Sequence, residues 1–378
     1  MRSDSSRRDF LVAGLSLPVA GMANAPAPQA PPAQAPKTAS PGAAAVRYRT
    51  LGKTGLRVST VGYGCMITSD SSVISRAVDL GITYFDTARG YQKGNNERMV
   101  GAALKAARDK IVLSSKSEAK TAPDAIAELD TSLKELGTDH LDIWYMHSRD
   151  TAAAIPDELV TVWENAKKQG KIRHIGISTH KPNDIVDRVM AVGQFEILLS
   201  TYSFAMGTVN DPAYKRLTDA GIGLVAMKVM APAARAKKPD GPLAALKYVL
   251  RDGRFATAIP SMTDMDQLEM NFRAMSEPFT AADEKLLARI DRDIRPLYCR
   301  MCSQCNGQCP NGAAVPETIR YLSYADFYGQ FALGREHFLA LPAEARAVRC
   351  RDCAACQVQC PNGVAVADRL MRAQDLFS

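Results

Sequence analysis

Residues 111–147 read IVLSSKSEAKTAPDAIAELDTSLKELGTDHLDIWYMH. A β-branched, apolar run (111–117) gives way to a stretch with apolar residues at helical spacing that stops on Gly137. A second apolar and aromatic run (141–147) follows, so the stretch reads strand–helix–strand. The same alternation extends in both directions. Further strand candidates are VSTVGYG from Val58, ITYFDTA from Ile82, IRHIGIS from Ile172, EILLSTYS from Glu196, LVAMKVM from Leu224 and ATAIPSM from Ala256. Between them lie helix candidates such as NERMVGAALKAA, DELVTVWENAKKQG and PLAALKYVLRDG, several closed by a glycine (Gly81, Gly170, Gly193, Gly221) as helix C-termini prefer. Eight such pairs over roughly 230 residues have the length and order of a (β/α)8 TIM barrel. An open doubly wound sheet would carry a Gly-rich phosphate turn after its first strand, and GYGCM lacks the GxGxxG spacing.

In such a barrel, chemistry belongs at the C-terminal ends of the strands. Those ends carry Asp86 after the second strand candidate, Lys116 after the third and His147 after the fourth, with Tyr91 in the loop beyond Asp86. The four residue types suit one reaction. Reducing a carbonyl requires a proton donor, and a phenol with an ordinary pKa near 10 is a poor one. An adjacent ammonium is expected to lower that pKa, a carboxylate to hold the ammonium, and an imidazole to orient the carbonyl oxygen.

The segments LGKTGLRVSTVGYG, GITYFDTARGY, LSSKSEAKT and LDIWYMHS together resemble the aldo/keto reductase superfamily, from about Tyr48 to Asp293. The resemblance implies a catalytic tetrad of Asp86, Tyr91, Lys116 and His147, with Tyr91 as general acid/base and a nicotinamide, NAD(P), as hydride carrier. It also implies that the nucleotide lies near Ser178, Thr179, Leu199, Met227, Ser261 and Asn271. Several of these depart from the family's pattern. Met227 stands where an aromatic ring commonly stacks on the nicotinamide, Thr179 and Leu199 where an Asn–Gln pair usually holds the carboxamide, and Ser261 and Gln267 where a basic pair grips the 2′-phosphate of NADP.

The C-terminal segment has a different chemistry. Of nine cysteines, only Cys65 precedes residue 299, and it reads as a buried strand residue. The others form CRMCSQCNGQCP and, 51 residues on, CRDCAACQVQCP. Each is C-x2-C-x2-C-x3-C followed by proline, made of Cys299, Cys302, Cys305 and Cys309, then Cys350, Cys353, Cys356 and Cys360. Structural zinc favours pairs of CxxC, and so dense a set seldom makes a disulfide framework. The third cysteine, the proline and the duplication point to two [4Fe–4S] clusters. By resemblance to bacterial two-cluster ferredoxins, the fourth cysteine of each motif ligates the other cluster. The implied sets are Cys299, Cys302, Cys305 with Cys360, and Cys350, Cys353, Cys356 with Cys309.

The first residues, MRSDSSRRDFLVAGLSLPVAGMANA, have a basic start, a moderate apolar core and a small-residue end. They read as a secretory signal of twin-arginine type (1–25), too short and too broken by Gly, Ser and Pro for a stable membrane span. A Pro/Ala-rich linker (26–45) follows. The barrel is assigned to 46–293 and a small ferredoxin-like iron–sulfur domain to 294–378. Twin-arginine export carries folded, cofactor-loaded proteins, so a periplasmic location and the clusters fit together. With 378 residues, 46% hydrophobic and 23% charged, the composition is that of a globular protein. The formal charge of +7, without a block of basic residues, excludes nucleic acid as an expected partner.

The sequence therefore predicts an exported oxidoreductase that interconverts a small carbonyl and its alcohol, with clusters for electron transfer or structure. The alternative is an electron-transfer subunit whose barrel docks a redox partner protein.

Overall fold

In the computed structural model, residues 45–235 and 238–378 are described. The expected signal, and the linker up to residue 44, lie outside them. Among the described residues no helix is long and apolar enough to cross a membrane.

A hairpin of β1 (Tyr48–Thr50) and β2 (Arg57–Ser59) precedes an eight-stranded parallel sheet. Its strands are β3 (Tyr63–Gly64), β4 (Tyr84–Asp86), β5 (Val112–Ser117), β6 (Leu141–Met146), β7 (Ile172–Thr179), β8 (Ile197–Thr201), β9 (Gly223–Met227) and β10 (Phe255–Ala258), each paired with the next in sequence. The last strand meets the first. Gly62 donates to the Ala258 carbonyl at 2.8 Å, Gly64 to that of Pro260 at 3.0 Å, and Ala258 to that of Thr60 at 3.0 Å. Closure removes both sheet edges and completes the (β/α)8 barrel.

Helices α1 (Ser71–Asp79), α2 (Asn95–Leu104), α3 (Ala122–Leu136), α4 (Asp157–Lys168), α5 (Pro182–Val192) and α6 (Asp211–Asp219) link successive strands. Helices α7 (Ala231–Arg235) and α8 (Gly241–Leu250) connect β9 to β10, and α9 (Met265–Arg273) and α10 (Ala281–Ile294) follow the last strand. Their apolar faces, with the outward residues of the strands, form the larger core.

Strand periodicity sets the inside of the barrel. Tyr84, Val112, Ile143, Tyr145, Ile197, Leu199 and Val225 face inward with Leu51 and Val58 of the hairpin, while Phe85, Leu113, Trp144 and Met146 face the helices. Room for Tyr145 depends on one glycine, because a Cβ on Gly176 would lie 2.4 Å from that ring. Cys65 is fully buried, as expected.

The C-terminal segment packs on the barrel, and the two make one compact unit. It consists of α11 (Val315–Tyr328), α12 (Phe331–Leu339), α13 (Ala343–Ala347) and α14 (Val366–Phe377), with a cysteine loop before α11 and another before α14. Its regular structure among the described residues is helical.

Candidate active site and cluster sites

The inward register that buries Tyr84, Val112 and Ile143 carries on to Asp86, to Ser114 and Lys116, and to His147. Period two therefore places three ionisable residues at one end of the barrel. Below them the Tyr84 and Tyr145 hydroxyls meet at 2.7 Å and close the floor. Tyr91 is carried by the loop after β4, where Gln92, Lys93 and Gly94 take successive left-handed conformations (φ 50, 55 and 88°). Two non-glycine residues in that region are a local strain of the kind that accompanies functional loops. The Gln92 side chain anchors the turn by donating to the Thr68 carbonyl at 2.8 Å.

The four expected residues come together. Lys116 Nζ donates to Asp86 Oδ2 at 2.5 Å, to the Thr87 carbonyl at 2.7 Å and to Tyr91 Oη at 3.3 Å. Asp86 Oδ1 accepts from Ser114 at 2.8 Å. The His147 ring stands edge-on to Tyr91 with centroids 6.0 Å apart. Against burial, which acts to lower it, Asp86 and Tyr91 raise the Lys116 pKa, so the ammonium is kept charged.

One electrostatic expectation is corrected. Burial pushes the Tyr91 phenol up to about 12; Lys116 pulls the other way, and Asp86 raises it again. The carboxylate that positions the ammonium also cancels part of its field. Tyr91 is consequently held as the protonated phenol.

Three neighbours were not legible as site residues. Glu118 Oε1 lies 2.9 Å from His147 Nδ1, and its pKa drops to about 2, chiefly through that contact. Its only sequence signal was its place two residues past Lys116. Tyr324 of α11 approaches Tyr91 closely enough to act on it electrostatically. His337 of α12 acts on Glu118 in the same way and stacks beside Tyr324, with centroids 5.6 Å apart. Thus the segment after the first cysteine motif forms part of the wall above the tetrad.

That segment is held by ionic contacts with the ends of β6 and β7. Arg320 Nη1 donates to Asp150 Oδ2 at 2.5 Å and lies 2.9 Å from His180 Nδ1, and Lys181 Nζ donates to Glu317 at 2.8 Å. Burial pushes His180 down to about 3, opposed by Asp150 and reinforced by Arg320, so its imidazole is neutral.

The expected nucleotide positions separate into two groups. Ser178 accepts from the Ser148 amide at 2.8 Å, while the Thr179 hydroxyl donates to Asp150 at 2.9 Å and accepts from the Lys181 amide at 3.0 Å. Both hydroxyls already have protein partners, and Leu199 is packed in the barrel interior. Met227 and Ser261 remain half-buried at the mouth. Asn271 is fully buried with neither its amide nitrogen nor its oxygen satisfied by the protein. A buried amide with both ends unmet calls for a polar ligand. On that observation a nucleotide fits: Asn271, Ser261, Met227 and Ser178 would hold it, with the Thr179 hydroxyl already bonded to Asp150.

The cysteine loops are cross-linked by side-chain donors. Asn311 Nδ2, two residues after Cys309, donates to Cys353 Sγ at 3.4 Å. Asn362 Nδ2, two residues after Cys360, donates to Cys302 Sγ at 3.3 Å. Both asparagines belong to a C-P-N-G sequence that ends each motif, a repeat that could have identified them beforehand. The fourth cysteine of each motif thereby approaches the other motif. The charge neighbours agree: Cys360 acts on Cys299 and Cys305, and Cys309 acts on Cys350.

Further donors reach the sulfurs, from the Met301 amide to Cys299 at 3.3 Å and from Gln374 to Cys350 at 3.5 Å. Val315, Ile319, Val358, Val364, Val366 and Leu370 sheathe them. Burial raises Cys299 to about 12 and Cys305 to about 11, so ligation would release protons. Among the described residues no His, Cys, Asp or Glu side chains converge on a single-ion site. A cubane spreads its four thiolates more widely than one tetrahedral ion does. The paired loops, sulfur-directed amides and apolar sheath fit two clusters held by the exchanged sets.

A parallel (β/α)8 barrel with a Lys–Asp–Tyr–His group at its mouth, joined to paired cysteine loops, defines a two-part redox architecture. Comparison with known proteins supports both parts: residues 68–243 match the aldo/keto reductase family and residues 298–366 a 4Fe-4S dicluster domain. The uncharacterized oxidoreductase YqkF of Bacillus subtilis (strain 168) is 34% identical over 158 residues, 37% of this chain and 51% of that protein. A probable aldo-keto reductase 1 of Glycine max is 31% identical over 46% of this chain and 57% of its own length. The matched segments thus span little more than half of these relatives. Among solved structures, the holo form of aldo-keto reductase AKR11C1 from Bacillus halodurans superposes with a TM-score of 0.58 at 25% identity, covering 65% of this chain and 96% of that one.

Proposed function

We propose that this protein is an exported oxidoreductase of aldo/keto reductase type that reduces a small carbonyl compound to its alcohol. The observation that carries the reading is the Lys116 ammonium, 2.5 Å from Asp86 and 3.3 Å from the Tyr91 hydroxyl. Tyr91 gives its phenolic proton to the carbonyl oxygen as negative charge develops there. Lys116 stabilises the resulting phenolate, Asp86 holds Lys116 in place, and His147, fixed by Glu118, orients the carbonyl. A nicotinamide held beside Met227 supplies hydride when bound. The two [4Fe–4S] clusters would be ligated by Cys299, Cys302, Cys305 and Cys360, and by Cys350, Cys353, Cys356 and Cys309; when bound they exchange single electrons and brace the loops around them. A redox partner protein is the natural source or sink for those electrons. The paired arginines Arg7 and Arg8 support twin-arginine export and a periplasmic location.

A second reading has one specific observation in its favour. The Thr179 hydroxyl is committed to Asp150, which the cluster segment itself holds through Arg320. On that reading the barrel is a docking domain in an electron-transfer subunit. The test is carbonyl turnover by the holoprotein and by Tyr91→Phe, with NADPH and dithionite offered in parallel as donors. A fall of about 100-fold or more supports the reductase reading. Equal rates in the two proteins would leave the docking reading.

A further inference from the structure

We infer that Lys228, at the end of β9, is an anion-binding residue that selects carbonyl substrates carrying a carboxylate or phosphate group. This rests on the reductase reading above and names the substrate class for the same site.

The other cations around this mouth are used internally. Lys116 is paired with Asp86, Lys181 with Glu317 and Arg320 with Asp150. Lys228 is different. Among the described residues no carboxylate pairs with it; its ammonium instead sits 4.3 Å from the centre of the Tyr324 ring and 4.7 Å from that of Tyr328. Cation–π contacts occupy the sides of an ammonium that face the rings and leave its remaining N–H donors available to an anion. The side chain is half-buried, so its charge is only partly screened and desolvating it further costs less than desolvating an exposed lysine.

Its position is also fixed by the backbone. Lys228 has φ 58°, a left-handed conformation seldom adopted by a lysine, immediately after Met227. Such strain is retained where the surrounding structure over-determines it. Tyr324, one of its two aromatic partners, is the residue of α11 that acts on Tyr91, so the ammonium lies on the same side of the mouth as the reactive phenol. Its charge also reaches His180 and His337, from two further elements around this opening. Tyr328 is tied by a 3.2 Å hydroxyl contact to Tyr298, next to Cys299. The cluster segment thus supplies the aromatic faces against which a barrel cation rests.

The test compares pairs of carbonyls of which one member carries an anionic group. Pyruvate is set against butane-2,3-dione, and glycolaldehyde phosphate against glycolaldehyde, at saturating donor. One charge-assisted contact gives the wild type a preference of about ten- to a hundredfold in kcat/KM for one or both anions. Lys228→Met and Lys228→Gly, the second suited to the left-handed backbone, should remove that preference while leaving the neutral partners within about twofold. Lys228→Arg should restore it in part. The two pairs distinguish a carboxylate-selecting site from a phosphate-selecting one. Iron content equal to wild type shows that the variants are assembled.

Absence of any preference for the anions in wild type would overturn the inference. So would an equal loss on charged and neutral carbonyls in both variants, or weakened NADPH binding with an intact preference. These failures are distinct from failure of the reductase reading, which would appear as turnover unaffected by Tyr91→Phe.

Discussion

Substitution of Lys116 by methionine is the most demanding test of the buried pair. The Lys116 and Asp86 side chains are 1% and 3% exposed, and their contact is 2.5 Å long. Methionine fills nearly the same space without the charge. Asp86 then keeps one observed side-chain donor, the Ser114 hydroxyl at 2.8 Å. Removing one member of a buried ion pair typically costs about 3–5 kcal/mol, because the charge left behind has neither partner nor water. The double variant Asp86→Asn/Lys116→Met removes both charges and should recover most of that loss.

The assay is urea unfolding followed by tryptophan fluorescence. The chain has two tryptophans, Trp144 on β6 and Trp163 on α4, stacked at 3.7 Å, so the signal reports on the barrel alone. A loss below about 1 kcal/mol, or a double variant as unstable as the single, would refute the claim that this pair is an energetically coupled buried unit.

Two further outcomes follow from the cluster segment. Cys360→Ser should disturb the cluster bound by the first motif and spare that of the second, seen as a change in one of two sets of electron paramagnetic resonance signals in the reduced protein. Loss of the second set alone would reverse the ligand exchange. Acidification should loosen α11. His180 lies near 3 in the folded chain against about 6.5 when unfolded, so the folded state binds fewer protons between these values. Its contribution is complete above about pH 6.5 and is lost as the pH falls toward 3, with Asp150, Arg320 and Lys228 as the charges that face it. Hydrogen exchange in α11 should accelerate across that window and less so in His180→Gln. An exchange rate independent of pH, after intrinsic correction, would contradict this.

The barrel was legible because its signal is local and repeated. Each strand is a short β-branched run, and the glycines after the helices (Gly81, Gly137, Gly170, Gly193, Gly221) all adopt positive φ in the structure. The meeting of Asp86, Lys116 and His147 at one mouth was legible for the same reason: alternation along β4, β5 and β6 carries them there. The ionisation of Tyr91 was not. Whether burial or Lys116 prevails depends on how closely Asp86 cancels the ammonium, a balance of distances that spacing does not encode. The contribution of α11 to the site was equally hidden, because Arg320, Tyr324 and Lys228 are brought together only by docking of distant segments. Asn311 and Asn362 are an intermediate case, visible as a C-P-N-G repeat but meaningful only once each was seen to face the other motif's cysteines.

The central claim is that Tyr91, held protonated beneath the cluster segment, donates the proton in carbonyl reduction. The measurement that tests it most directly is the solvent isotope effect on carbonyl reduction by the holoprotein, taken between pH 6 and 9 and compared with Tyr91→Phe at equal iron content. With the phenol pushed up to about 12, the account predicts a rate that shows no tyrosine titration in this range. It further predicts slower reduction in deuterium oxide, and residual activity in Tyr91→Phe that has lost this isotope sensitivity. Turnover in Tyr91→Phe at the wild-type rate, with an unchanged isotope effect, would contradict it.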